Sequence, residues 1–152
     1  MPKKPKKNIR KGRGEEKLES KCFNELEEGK VYMSHFQFLC TNTPLVAIQG
    51  YDESGEIFFW NKASEELYGY KAEEVILKNI KEVLLAPEEW DKFDQAVKEI
   101  ISSENPTPPK RWIVKTRDGR EKHLLSSMFP IILGDKKCIY CMDVDITEQV
   151  EL

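Results

Sequence analysis

Two groups of side chains have the types and spacing to do chemistry. Cys138 and Cys141 form a C-x-x-C pair, the spacing of thiol redox centres and of half a zinc site. They fall in Lys137-Cys138-Ile139-Tyr140-Cys141-Met142, which reads as a strand. Side chains alternate along a strand, so residues three apart point to opposite faces. One strand therefore cannot aim both thiols at one metal. The sequence has no second C-x-x-C and only two histidines, His35 and His123, so no metal site is expected. The second group is Asp143 and Asp145, two apart on the same strand and sharing a face. Paired carboxylates can do acid–base work, but catalysis needs converging partners. The sequence has no Gly-rich phosphate loop and no recognisable Ser/His/Asp grouping. No catalytic residue is assigned, and the chain is expected not to be an enzyme.

The elements that must position these residues follow from the pattern of apolar residues. Residues 18–40 carry an interrupted helical pattern, with Leu18, Cys22 and Leu26 at i, i+4 and i+8 and a break at Gly29. Ser34 is placed to cap a second short helix containing Phe36, Phe38 and Leu39. Asn42-Thr43-Pro44 stops it, because the residue before proline resists the helical region. Leu45–Tyr51 and Glu56–Trp60 read as a hairpin across Asp52-Glu53-Ser54-Gly55. Asn61 is an N-cap for the helices of 62–103. In the last of these, Trp90, Phe93, Val97, Ile100 and Ile101 make one buried stripe after Pro87. Strands return at Lys110–Thr116, Glu121–Ile132 (interrupted late by Pro130) and Lys137–Asp145, joined by tight turns at Asp118-Gly119 and Gly134-Asp135. Two strands, several helices and three strands fit one antiparallel sheet with helices on one face, an α+β arrangement.

Charge and length bound the partners. The chain has 152 residues, a net charge of −3 and 39% hydrophobic residues, enough for one domain with a real core. Residues 1–13 carry seven bases and no acid, which leaves 17 bases against 27 acids and a net of −10 in the remainder. The acidic remainder would repel nucleic acid, whereas residues 1–13 could touch it or another anionic surface. Residues 1–17 read as a disordered basic tail. No stretch approaches the roughly 20 apolar residues of a membrane span, and the basic N-terminus lacks the apolar core of a secretory signal. The expected compartment is therefore the reducing cytoplasm, with free thiols.

An ordered set of short motifs resembles the PAS domains of bacterial and archaeal signalling proteins. It consists of Asn42-Thr43-Pro44-Leu45, Asp52-x-x-Gly55-x-Ile57, Trp60-Asn61-x-Ala63 and Leu67-Tyr68-Gly69-Tyr70 with Glu73 and Glu74. Thr116-Arg117-Asp118-Gly119 and Asp145-Ile146-Thr147-Glu148 complete it. The resemblance covers 42–148 and implies a PAS fold: a five-stranded antiparallel sheet of order 2-1-5-4-3, with helices walling a small cavity on one face. It divides the chain into a tail (1–17), N-terminal flanking helices (18–41), the domain (42–148) and the start of a C-terminal linker (149–152). It also implies sensory signal transduction, with Asp145 and Thr147 as relay residues. Dimerisation is implied through the N-terminal helix and the outer sheet face, as a homodimer or with another signalling protein. Leu18, Cys22, Leu26, Phe36 and Phe38 are the candidate interface residues. The chain stops where such modules pass into an output helix, so a module acting alone would have to act in trans. A ligand-free interaction module and a nucleic-acid-associated regulator are the rival readings.

The family's known cofactors leave marks that this sequence lacks. The flavin-adduct subfamily carries a cysteine in an Asn-Cys-Arg-Phe-Leu stretch, and the matching region Lys78–Val83 has none. Haem sensors of the family hold iron by a histidine on the long helix, and residues 87–103 contain none. A non-covalent flavin needs no such mark. A small apolar ligand, or no ligand, is the expectation. By the family's register, Trp112, Val114, Leu124, Ser126, Met128, Ile139 and Cys141 face the cavity, and His123 faces away.

Overall fold

The structure, a computed structural model, describes residues 12–13, 30–31 and 34–151. Leu18, Cys22, Leu26 and most of the basic tail lie outside the described residues. The chain divides into two units, Met1–Phe38 and Leu39–Leu152. Helical backbone runs over residues 34–42 (α1) and ends just before Thr43-Pro44. Ser34 does not cap it: Lys30 and Val31 are already helical. The Ser34 hydroxyl instead donates to the Lys30 carbonyl at 2.9 Å, the back-bond of a serine inside a helix.

The second unit holds the sheet. Its strands are β1 (Ala47–Asp52), β2 (Ile57–Trp60), β3 (Lys110–Lys115), β4 (Glu121–Leu133) and β5 (Lys136–Asp145). They form one antiparallel sheet in the order β2-β1-β5-β4-β3. Between β2 and β3 lie α2 (Lys62–Tyr68), α3 (Ala72–Val75), α4 (Ile80–Leu84), a 3-10 turn (Pro87–Glu89) and α5 (Trp90–Ser103); α6 (Thr147–Glu151) follows β5. The hairpin turns depend on Gly55 and Gly119, at φ 91° and 83°, where a Cβ is strained. Pro130 does not interrupt β4. The Met128 N–H and C=O both bond to Thr107, on the side facing away from β5. Two residues on, the nitrogen of Pro130 faces the same side. There β3 has already ended, at the Lys110–Ser126 pair. The missing N–H thus falls on an open edge, where proline is tolerated.

The core lies between the sheet and α2–α5. From α5, Phe93, Ala96, Val97 and Ile100 are buried, while Trp90 and Ile101 are half-buried at the margins of the stripe. Burial of each large apolar side chain stabilises by about 1.5–3 kcal/mol. On β3, Trp112 and Val114 are buried while Arg111, Ile113 and Lys115 are exposed.

Asn61 does more than cap α2. Its Oδ1 accepts from Ser64 N–H (2.9 Å), Ser64 O–H (2.8 Å) and Ile48 N–H (2.9 Å). Its Nδ2 donates to the carbonyls of Cys40 (2.8 Å) and Val46 (3.0 Å). The residue is 1% exposed, so water cannot replace these partners. Asn61→Ala is expected to lower the unfolding free energy by about 3 kcal/mol or more, because several buried groups lose their partners together. Asn61→Asp caps a helix equally well but sets a carboxylate oxygen against two carbonyls, so it should also destabilise strongly. Urea unfolding of the two variants tests this, and an aspartate variant as stable as the parent contradicts it.

Candidate functional site

The helix-facing side of the sheet is set by alternation. On β4, Leu124, Ser126 and Met128 are buried and His123 is half-buried on the opposite side; on β5, Ile139, Cys141 and Asp143 are buried. Leu124, Ser126, Met128, Cys141 and Asp143, with β1 and β3 beside them and α4 and α5 above, surround a cavity of about 40 Å³. That is room for a few water molecules. Six of the seven residues expected to face it do line it: Trp112, Val114, Leu124, Ser126, Met128 and Cys141. Ile139 is fully buried in the core, but it is not part of the wall. Gln49, Tyr51, Phe93 and Asp143, among others, also line the cavity, a place the sequence did not assign them.

The wall is apolar except at one corner, where β1, β4 and β5 lie side by side. Gln49 pairs with Cys141, and Ser126 with Asp143, across neighbouring rungs. Tyr51 Oη and Cys141 Sγ share a hydrogen bond of 2.9 Å. Gln49 Nε2 donates to Ser64 Oγ at 2.9 Å, joining the corner to the Asn61 network. Tyr68 Oη donates to Asp143 Oδ2 at 2.6 Å. The other carboxylate oxygen, Asp143 Oδ1, is buried and has no hydrogen-bond partner. Burial pushes the Asp143 carboxyl above the usual carboxylate range, and the nearby Ser126, Tyr68 and Gln49 only partly oppose it. Burial and the Asp143 charge likewise push the Cys141 thiol far up, so this cysteine is not a thiolate nucleophile. Cys138 lies partly exposed on the other side of β5, its Sγ 3.6 Å from the Ile131 carbonyl. The C-x-x-C pair is thus split between the faces, and both thiols are free.

Asp145 and Thr147 sit where β5 passes into α6. Asp145 Oδ1 accepts from Thr147 N–H at 2.9 Å and from its hydroxyl. Its Oδ2 is 3.4 Å from Lys122 Nζ. Burial works to raise the Asp145 carboxyl, but the bonds from Thr147 and Lys122 outweigh it and hold the group below its usual range. Thr147 Oγ1 accepts from His123 N–H at 3.0 Å, and Ile146 N–H donates to the His123 carbonyl at 2.9 Å. The start of α6 is therefore clipped to β4. Of the interface candidates within the described residues, Phe36 is 47% and Phe38 67% exposed.

This geometry matches known proteins. The family model for the PAS fold matches residues 34–145. The chain belongs to the PAS family. PAS domains are generally sensory modules, and they often dimerise. The chain superposes on a PAS domain from Colwellia psychrerythraea with a TM-score of 0.69 at 23% identity, over 77% of this chain and 98% of that one. The PAS domain of Bordetella pertussis BvgS matches with a TM-score of 0.61 at 23% identity, over 79% and 90%. The PAS domain of the Cronobacter turicensis quorum-sensing receptor RpfR, solved in complex with BDSF, matches with a TM-score of 0.59 at 24% identity, over 70% and 98%. A sequence search of curated proteins finds no match. Among the described residues, no helix is long and apolar enough to cross a membrane.

Two expectations follow for the polar corner. Tyr68→Phe removes a hydrogen bond to a buried carboxyl and should cost about 2 kcal/mol. Equal stability of this variant and the parent in urea would contradict the pairing. Because the folded-state pKa of Asp143 is raised, the folded chain holds that proton more tightly than the unfolded chain. Stability from this group is therefore lost as pH rises from the ordinary carboxylate range through the raised folded value. Asp143→Asn should stabilise the protein at neutral pH, with a gain that shrinks as pH falls toward 4. A gain that is constant with pH would show that Asp143 carries no such penalty.

Proposed function

We propose that the chain is a cytoplasmic sensory module whose cavity takes a small ligand, and that occupancy is read out through the flanking helices. The observation that supports this most is the cavity itself, walled by apolar side chains and holding one buried oxygen without a partner. Ligand sites are mostly apolar with a few polar groups that fix orientation. At about 40 Å³ the space falls far short of the roughly 300–1,000 Å³ of sites for drug-sized ligands. A flavin or haem would need the wall rebuilt, which agrees with the missing cysteine and histidine.

The relay would run along β5. Asp143 lines the cavity and Asp145 caps α6 two residues later. A ligand that favours one setting of β5 biases the helix only by its differential affinity for the two settings. At the other end, the Cys40 carbonyl at the end of α1 is held by Asn61, which connects through Ser64 to Gln49 in the cavity wall.

The interaction reading has its own support. The outer sheet face exposes Phe58, Ile113, Leu125, Met142 and Val144, with Leu125 paired to Val144 across β4 and β5. A contiguous exposed apolar patch marks a protein contact. A homodimer, or a heterodimer with another signalling chain, would cover it. Contact of the basic tail with nucleic acid would be nonspecific and steeply salt-dependent, and deletion of residues 1–13 should abolish it.

The test is an absorption spectrum of the purified full chain with mass spectrometry of its denatured extract. The expected result is a colourless protein that releases a compact small molecule. A flavin or haem band would overturn the cofactor reading. An empty, colourless protein would overturn ligand sensing in favour of the interaction module.

A further inference from the structure

The polar corner specifies the chemistry of the occupant, an inference that rests on the ligand-sensing reading above. Four of its polar groups are satisfied within the protein. Tyr51 and Cys141 bond to each other, Gln49 bonds to Ser64, and Asp143 Oδ2 is taken by Tyr68. Asp143 Oδ1 is left over, in a residue 4% exposed that lines the cavity. A buried acceptor without a partner costs roughly 1–3 kcal/mol, and a ligand that supplies the missing donor recovers it. Ser126 and Gln49 stand close enough for their polar hydrogens to favour the charged carboxyl, yet neither meets the geometry of a hydrogen bond to Oδ1. The rest of the cavity wall includes Tyr51, Phe93, Trp112, Leu124 and Met128, all suited to a short apolar body. Among the described residues that line the cavity there is no lysine, arginine or histidine. A ligand carboxylate or phosphate would thus meet a carboxyl group and no cation.

We propose that the cavity selects a compact ligand with an O–H or N–H head that donates to Asp143 Oδ1 and a short apolar body, and that it rejects carboxylates and phosphates. With Oδ2 accepting from Tyr68, an ionised Asp143 accepts at Oδ1 from a small amine or a small alcohol; the shared requirement is the donor.

The test uses three probes of one size, 1-propanol, propylamine and propionate, titrated into the isotope-labelled full chain and followed by amide NMR. The expected result is shifts confined to the strands around residues 49, 126, 141 and 143 with the alcohol or the amine, and none there with propionate. Which of the two binds identifies the head group. Asp143→Leu should weaken the bound probe about ten-fold or more, the loss of one hydrogen bond to a carboxyl. Asp143→Asn keeps the shape and still accepts from Tyr68, so it serves if the leucine variant does not fold. It should weaken propylamine more than propanol. Propionate binding as well as the other probes, or binding unchanged in both variants, overturns the proposal. If no probe shifts these residues, the Asp143 site is overturned, while the sensory reading still stands or falls on the extracted-ligand measurement.

Discussion

The side-chain amide of Asn61 makes five hydrogen bonds to groups from three parts of the chain: the end of α1, the start of β1 with Val46 just before it, and the start of α2. Four of the five bonds are buried and the one to Val46 is partly so, and buried groups are costly to leave unpaired. Both ends of the amide are needed, because one side of the site presents N–H and O–H groups and the other presents carbonyls. The angle at which α2 leaves β2, the position of β1 and the approach of the chain from α1 are therefore fixed together. Ser64 extends the same network to Gln49, so the cavity wall inherits its geometry from this one residue.

From that anchor a line of polar groups crosses the otherwise apolar inner face of the sheet. It runs from Gln49 on β1 to Cys141 and Asp143 on β5 and Ser126 on β4. A small domain would be more stable with hydrocarbon at these positions, since a buried carboxyl is costly even when paired. Tyr68 satisfies one oxygen of that carboxyl and leaves the other without a partner. The same strand then ends in Asp145, whose carboxylate shapes the first turn of α6. Asp143 and Asp145 are thus two residues apart on one strand, the path along which the proposed relay would run.

Much of this was legible in the sequence because local rules decided it. Gly55 and Gly119 mark their turns, Asn61 marks the start of α2, and alternation put Trp112, Leu124, Ser126 and Met128 on one face. What was missed depends on groups far away in the chain. Asp143 reads as half of a carboxylate pair with Asp145; its burial and its partner Tyr68, 75 positions earlier, are properties of the folded sheet. Gln49 and Tyr51 lie in a strand that reads simply as apolar, and nothing local shows that they bond inward. Ser34 and Pro130 misled for the opposite reason. Their local preferences, cap and strand breaker, are real, but a helix already under way and an open sheet edge made both harmless.

The central claim is that cavity and C-terminal helix are coupled through β5. Hydrogen exchange measured by mass spectrometry on a Ser126→Val variant tests it most directly, because valine suits a strand and fills part of the cavity without touching α6. The account predicts altered exchange in β5 and, with it, in Thr147–Glu151. A change confined to the strands around residue 126, with α6 exchanging as in the parent, would contradict it.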